Sequence, residues 1–181
     1  MGNPANPVHV KLIASLIYQK EDSFSGVLRE MVSHFGFLDF VSATMPFDFT
    51  DYYTEEMGET LWRRIVGFET LIPPETISSI KLSTNAIEQS LSPGSKQRTV
   101  NIDPGYINRY HVILATTKPA PHRSYLKDGI YADLTLIYHE KGFKDLPWTY
   151  PDYASKEIKA LLNELRQKYL FQLKSLRKGS S

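Results

Sequence analysis

Three segments that read as strands follow one another from residue 98 to residue 139 with no helix between them: RTVNIDPGYIN, HVILATT and SYLKDGIYADLTLIYH. Consecutive strands pair with one another through short connections, so this run demands a mixed or antiparallel sheet. The fold class that follows is α+β, with helices mainly on one face. Upstream, VHVKLIASLIY (8–18) is β-branched and aliphatic and predicts a strand. SFSGVLREMVSHFG predicts a helix: Val27, Leu28, Met31, Val32 and Phe35 form an apolar stripe, Ser23 stands at the cap position and Gly36 closes the end. FLDFVSATMPFDF (37–49) predicts a strand that Pro46 shortens or holds at an edge. Leu61, Ile65 and Phe68 also fit helical spacing, but the preferred reading of 60–70 is a strand. PPETISSIKLSTNAIEQSL predicts a second helix that begins after its prolines. Ser155 to about Leu176 predicts a long amphipathic helix with Ile158, Leu161, Leu162, Leu165, Tyr169 and Leu173 on one side. The order β-α-β-β-α-β-β-β-α begins with the ferredoxin-like βαββαβ succession.

The length of 181 residues predicts one α+β domain over 1–178, with 179–181 as a disordered tail. There is no cysteine, which removes disulfides, thiolate metal sites and a cysteine nucleophile from consideration. A net charge of +1 disfavours nucleic acid as a partner. No run reaches the roughly 18 apolar residues of a membrane span, and MGNPANPVHVKL lacks a signal-peptide pattern. No membrane partner is expected, and the cytoplasm is the expected location. Homo-oligomerisation is compatible with the sequence. There is no GxxxxGK[ST], GxGxxG, HExxH, GxSxG or CxxC, so the common nucleotide, protease, esterase and zinc signatures are missing.

The candidate chemistry lies in three polar stretches. ATTKPAPHR brings Lys118, His122 and Arg123 together in a proline-stiffened loop. Such donors suit an anion, arginine by its planar fork; a solvated basic turn has the same composition, and Arg123 as a structural tie to Asp103 or Asp133 is the other alternative. VNIDPGY places Asn101 and Asp103 two residues apart on one strand, hence on one face, with Pro104-Gly105 turning the chain before Tyr106. Asp103 as an Asx-turn residue is the structural alternative. FDFTDYYTEEMG carries Asp51 and Glu56 among aromatic residues, which suits amine or metal binding or a hydrated acidic turn. Lys81, Asn85 and Glu88 share a helix face, read here as exposed. In WTYPDY, Trp148, Tyr150 and Tyr153 either wall a pocket or staple the last helix, with Asp152 capping it.

The runs MPFDFTDYYTEEMG, KLSTNAIE, NIDPGYI, LATTKPAPHRSYLKDGIYADLTL and WTYPDY together resemble an uncharacterised prokaryotic family of about this length. Its members are named as a domain of unknown function and sometimes as a GTP-binding protein. The resemblance covers nearly the whole chain and implies membership without implying an activity. The residues do not carry the GTP name: there is no P-loop, and Ala120 stands where an [NT]KxD motif would place the guanine-reading aspartate.

The leading expectation is a site for a small phosphorylated or otherwise anionic ligand, built from the 48–56, 101–106 and 116–125 stretches. Lys118, Arg123, Asn101, Tyr106, Asp51 and Glu56 would bind, and His122 and Asp103 would be the catalytic candidates. His122 qualifies because histidine is the side chain suited to acid–base exchange near neutrality. Cofactor and metal are unspecified by the residues. The rival is a non-catalytic protein-interaction module that uses the aromatic surface and the C-terminal helix.

Overall fold

The structure is a computed structural model that describes residues 2–50, 53–92 and 98–179. Its central strand, β1 (Val10–Tyr18), is buried along its whole length. Successive side chains of a strand point to opposite faces, and both faces of β1 are covered. Leu12, Ala14, Leu16 and Tyr18 pack against α1 (Glu21–Phe35) and α3 (Ile77–Leu91). Ile13, on the other face, packs against Ile158, Leu162 and Leu165 of α5 (Lys156–Gly179). Each such side chain contributes about 1.5–3 kcal/mol by leaving water. The one-sided helix arrangement therefore holds for α1 and α3, while the long C-terminal helix lies across the sheet from them. Its apolar stripe is spent on the sheet: Ile158, Leu162, Leu165, Tyr169 and Leu173 are all buried.

Among the described residues, nine strands form one antiparallel sheet. The remaining strands are β2 (Leu38–Val41), β3 (Met45–Pro46), β4 (Trp62–Ile72), β5 (Val100–Ile107), β6 (His111–Thr116), β7 (Arg123–Lys127), β8 (Ile130–His139) and β9 (Gly142–Asp145). Their order is β2-β4-β1-β5-β6-β8-β7, with β3 beside β4 and β9 beside β8. The segment β2-β4-β1-β5 has the ferredoxin-like arrangement that the element order anticipates. Two short helices, α2 (Thr54–Met57) and α4 (Pro151–Ala154), flank the sheet.

Several local expectations change. Ser23 lies inside α1, whose N-cap is Lys20, without a side-chain capping bond. The stretch 37–49 divides into β2 and β3, the latter ending at Pro46. The run 124–139 is a hairpin, not one strand: Asp128 (φ 55°) and Gly129 (φ 75°) reverse the chain between β7 and β8, as a two-residue turn of this hand requires. The expectation for 180–181 falls outside the described residues.

The decisive departure is at Pro104-Gly105, which does not turn the chain but continues β5. β5 pairs with β1 over eight residues but with β6 over only three: Gly105, Tyr106 and Ile107 face Leu114, Ile113 and Val112. The backbone N–H and C=O of Ile102 point away from β1, toward the β6 side. By alternation Pro104 points its nitrogen the same way, and proline has no N–H to give the next rung. The ladder ends there and the two strands diverge. Gly105 holds the last close approach: a Cβ at this position would overlap the Ile113 carbonyl oxygen and lie 2.8 Å from Leu114 Cδ2.

Gly105→Ala is therefore expected to destabilise the protein by about 1–3 kcal/mol, the usual cost of overpacking. Urea unfolding of the two proteins measures this. An alanine variant as stable as the parent would mean that β5 and β6 do not meet as described.

Candidate functional site

The divergence of β5 and β6 opens a cavity of about 500 Å³. One wall is the stretch of β5 that β6 leaves unpaired, with α3 behind it; the other is Leu114–Lys118 at the end of β6, with Arg123 of β7 and Asp133 of β8. Phe47, Phe49 and Tyr53 from the stretch around α2, and Tyr150 and Tyr153 from around α4, complete the lining. The three polar stretches singled out in the sequence thus converge on one space: Glu56, Asn101, Asp103, Lys118 and Arg123 all line it. Asp51 lies outside the described residues.

Each charged group has a defined attachment. Lys81 Nζ donates to the Ile102 carbonyl at 2.9 Å and lies 3.7 Å from Asp103 Oδ1. The Ile102 N–H donates to Glu88 Oε1 at 2.6 Å. Two side chains of α3 therefore satisfy the backbone groups that β6 leaves unpaired. Asn101 Nδ2 donates to Asp103 Oδ2 at 2.6 Å, which bears out their common face. Arg98 reaches Asn101 Oδ1 at 2.9 Å, Glu56 at 2.9 Å and Glu88 at 3.5 Å, with its guanidinium over the Tyr53 ring. Arg63, fully buried in β4, donates to Ser15 Oγ at 2.8 Å and to Asp152 at 2.7 Å, and it lies over the Tyr153 ring.

Arg123 is more heavily engaged than a bare anion fork. Its Nε donates to Asp133 at 2.7 Å, Nη1 to the Lys118 carbonyl at 2.8 Å and Nη2 to the Tyr150 hydroxyl at 2.9 Å. It fixes the end of the Lys118 loop and one aromatic wall while lining the cavity itself. Two expected residues are placed elsewhere. His122 does not line the cavity; it stacks on Trp148, centroids 5.1 Å apart, with Nε2 3.5 Å from Asp133 Oδ2. Tyr106 is an odd number of residues from Asp103, so it faces the opposite side and packs with the α1–α3 core. Among the described residues, no three histidine, aspartate or glutamate side chains gather to hold a metal ion.

Residues 8–169 match a family model. The chain belongs to DUF4416, a domain of unknown function. No curated protein and no solved structure matches it.

Part of this DUF4416 cavity comes from residues outside the three polar stretches, among them Arg63, Lys81, Glu88 and Arg98. Lys81 and Glu88 are buried, contrary to the solvated face expected of them. The signal was present: both positions fall within the helical stripe that carries Ile77, Ile80, Thr84 and Ile87. Asp152 does not cap a helix; it pairs with Arg63. The pairing of Asp133 with Arg123 is the structural tie weighed for that arginine, whereas Arg63 lies in a strand where only the cross-strand register brings it to the cavity.

Burial pushes the Glu88 carboxyl above its ordinary value of 4.5; Lys81, the Ile102 N–H and Arg98 pull it back only partly. Because the folded pKa is raised, folding favours the protonated acid. That contribution is complete below about pH 4.5 and is lost as pH rises through the folded pKa. A glutamine has no such dependence. The stability of the wild type relative to Glu88→Gln should therefore fall with rising pH above 4.5 and level off beyond the folded pKa. Denaturant titrations across this range test it. A difference that grows with pH would show that the cations outweigh burial and lower the folded pKa.

Proposed function

We propose that the cavity binds a small molecule through an anionic group, with Lys118 and Arg123 on the β6 side as the anion-facing cations. The observation that carries this reading is the convergence of three separate polar stretches and two buried helix side chains on one space of about 500 Å³. Desolvating that many charged groups is costly, and their joint placement around a space of ligand size is what a recognition site requires. The volume suits a metabolite-sized ligand. Asp103, open to the cavity and positioned by Asn101, is the carboxylate placed to take a proton or hydroxyl of the ligand. The catalytic role expected of His122 has less support, because its ring lies outside the lining. A cytoplasmic location is part of this proposal, supported by the cysteine-free composition. The rival reading, a protein-docking helix, is weakened because the apolar stripe of α5 is already buried. Among the described residues, no helix is long and apolar enough to cross a membrane.

A ligand that binds only the folded chain raises its melting temperature by mass action. At about one hundred times the dissociation constant this amounts to about 2.7 kcal/mol, or several degrees for a chain of this size. Glycerol phosphate at matched ionic strength is expected to raise the melting temperature of the wild type by degrees and that of Lys118→Ala by much less. Equal shifts in both proteins, or none in either, would refute the assignment.

A further inference from the structure

The aromatic residues around the cavity are of two kinds. Phe47 and Tyr153 are buried and already occupied with Arg63, whose guanidinium lies 5.8 Å from the Phe47 ring centroid and 4.5 Å from that of Tyr153. Phe49 and Tyr150 line the same cavity but stay open, 45% and 48% exposed. Both are held in place by neighbours. Phe49 packs on Phe47, centroids 6.0 Å apart, and Phe47 in turn meets the Tyr53 ring edge-on at 5.9 Å. The Tyr150 hydroxyl accepts a hydrogen bond from Arg123 Nη2 at 2.9 Å.

An exposed hydrophobic side chain is ordinary when it stands alone. These two border one recess of about 500 Å³, from segments a hundred positions apart in the chain. Phenylalanine has no polar tip to place in water, so the open surface of Phe49 gains nothing from solvent. Tyr150 has its polar tip engaged, and its ring face is what remains. That hydroxyl sits on Arg123, one of the cations assigned to the anion, so an open ring adjoins the anion position.

Any apolar group would gain by covering these surfaces. A flat ring gains more, because aromatic pairs in offset-stacked or edge-to-face contact are favoured beyond the area they bury. Side chains already fixed by their own neighbours lose little further freedom when a ring packs on them. We propose that the ligand carries a planar aromatic or heteroaromatic ring joined to its anionic group, with the ring against Phe49 and beside Tyr150 and the anion toward Lys118 and Arg123. This deepens the anion-binding reading and rests on it.

Phenyl phosphate, cyclohexyl phosphate and glycerol phosphate carry the same anion on a flat ring, a puckered ring of similar size and a polar chain. Binding of each is measured by titration followed by amide NMR at matched ionic strength, at a pH above the second ionisation of all three phosphates. Burial alone would favour the more apolar cyclohexyl group. Ring-on-ring contact should instead make phenyl phosphate bind the wild type about threefold to tenfold more tightly than cyclohexyl phosphate. Phe49→Leu, an aliphatic replacement at an exposed position, should remove most of that preference while leaving glycerol phosphate affinity nearly unchanged. Phe49→Tyr keeps a ring and should keep the preference. Cyclohexyl phosphate binding as tightly as phenyl phosphate, or more tightly, would overturn the ring inference and leave the anion reading standing. So would a preference that survives in Phe49→Leu. No binding of any of the three probes would overturn both.

Discussion

Ile102 donates its N–H to a glutamate and accepts a hydrogen bond from a lysine where a strand would ordinarily find its neighbour. The candidate site depends on that substitution. A sheet can open between two strands only if the backbone groups left behind are satisfied, because each buried group without a partner costs about 1–3 kcal/mol. Lys81 and Glu88 meet this requirement from α3, and their charges then become part of the wall. The same residues thus stabilise the opening and give it its electrostatic character. Pro104 ends the ladder without sacrificing a donor, and Gly105 allows the last contact before the strands part.

The interior of the molecule is arranged around this gap. α1 and α3 close one face of β1, and α5 closes the other through Ile158, Leu162 and Leu165. Lys11 ties the far end: buried beneath α5, it donates to Asp39, to the Phe68 carbonyl and to Gln172. Burial lowers its pKa, against the pull of Asp39. A further cluster of Ile17, Phe47, Met57 and Leu61 anchors the aromatic stretch that forms one side of the cavity. The polar cavity is therefore framed by apolar packing, which fixes the walls before any ligand arrives.

Much of this was legible in the sequence. β1, α1, α3 and α5 show their periodicity openly, whereas the strand order is given by the assembled sheet. Asn101 and Asp103 share a face because a strand alternates. Other features were legible but misread. Asp128-Gly129 is a hairpin signal within a run that looks like one strand, and Lys81 and Glu88 sit in an apolar stripe. Pro104-Gly105 carries the composition of a turn, yet each residue serves a strand by what it lacks, a donor in one case and a side chain in the other. Some features had no local signal. Glu140 and Lys141 turn the chain at φ 47° and 68°, where neither residue type is favoured, so β9 was missed. The pairing of Arg63 with Asp152 joins residues 89 positions apart, and only the assembled sheet brings them together.

A ligand held in the gap must touch both walls at once. Amide chemical shifts followed while glycerol phosphate is added test it most directly. The expected result is that residues 101–103 on β5 and 115–118 at the end of β6 shift together along a single saturation curve, while the amides of α5 stay still. Shifts confined to one wall, or spread over the outer surface of α5, would contradict it.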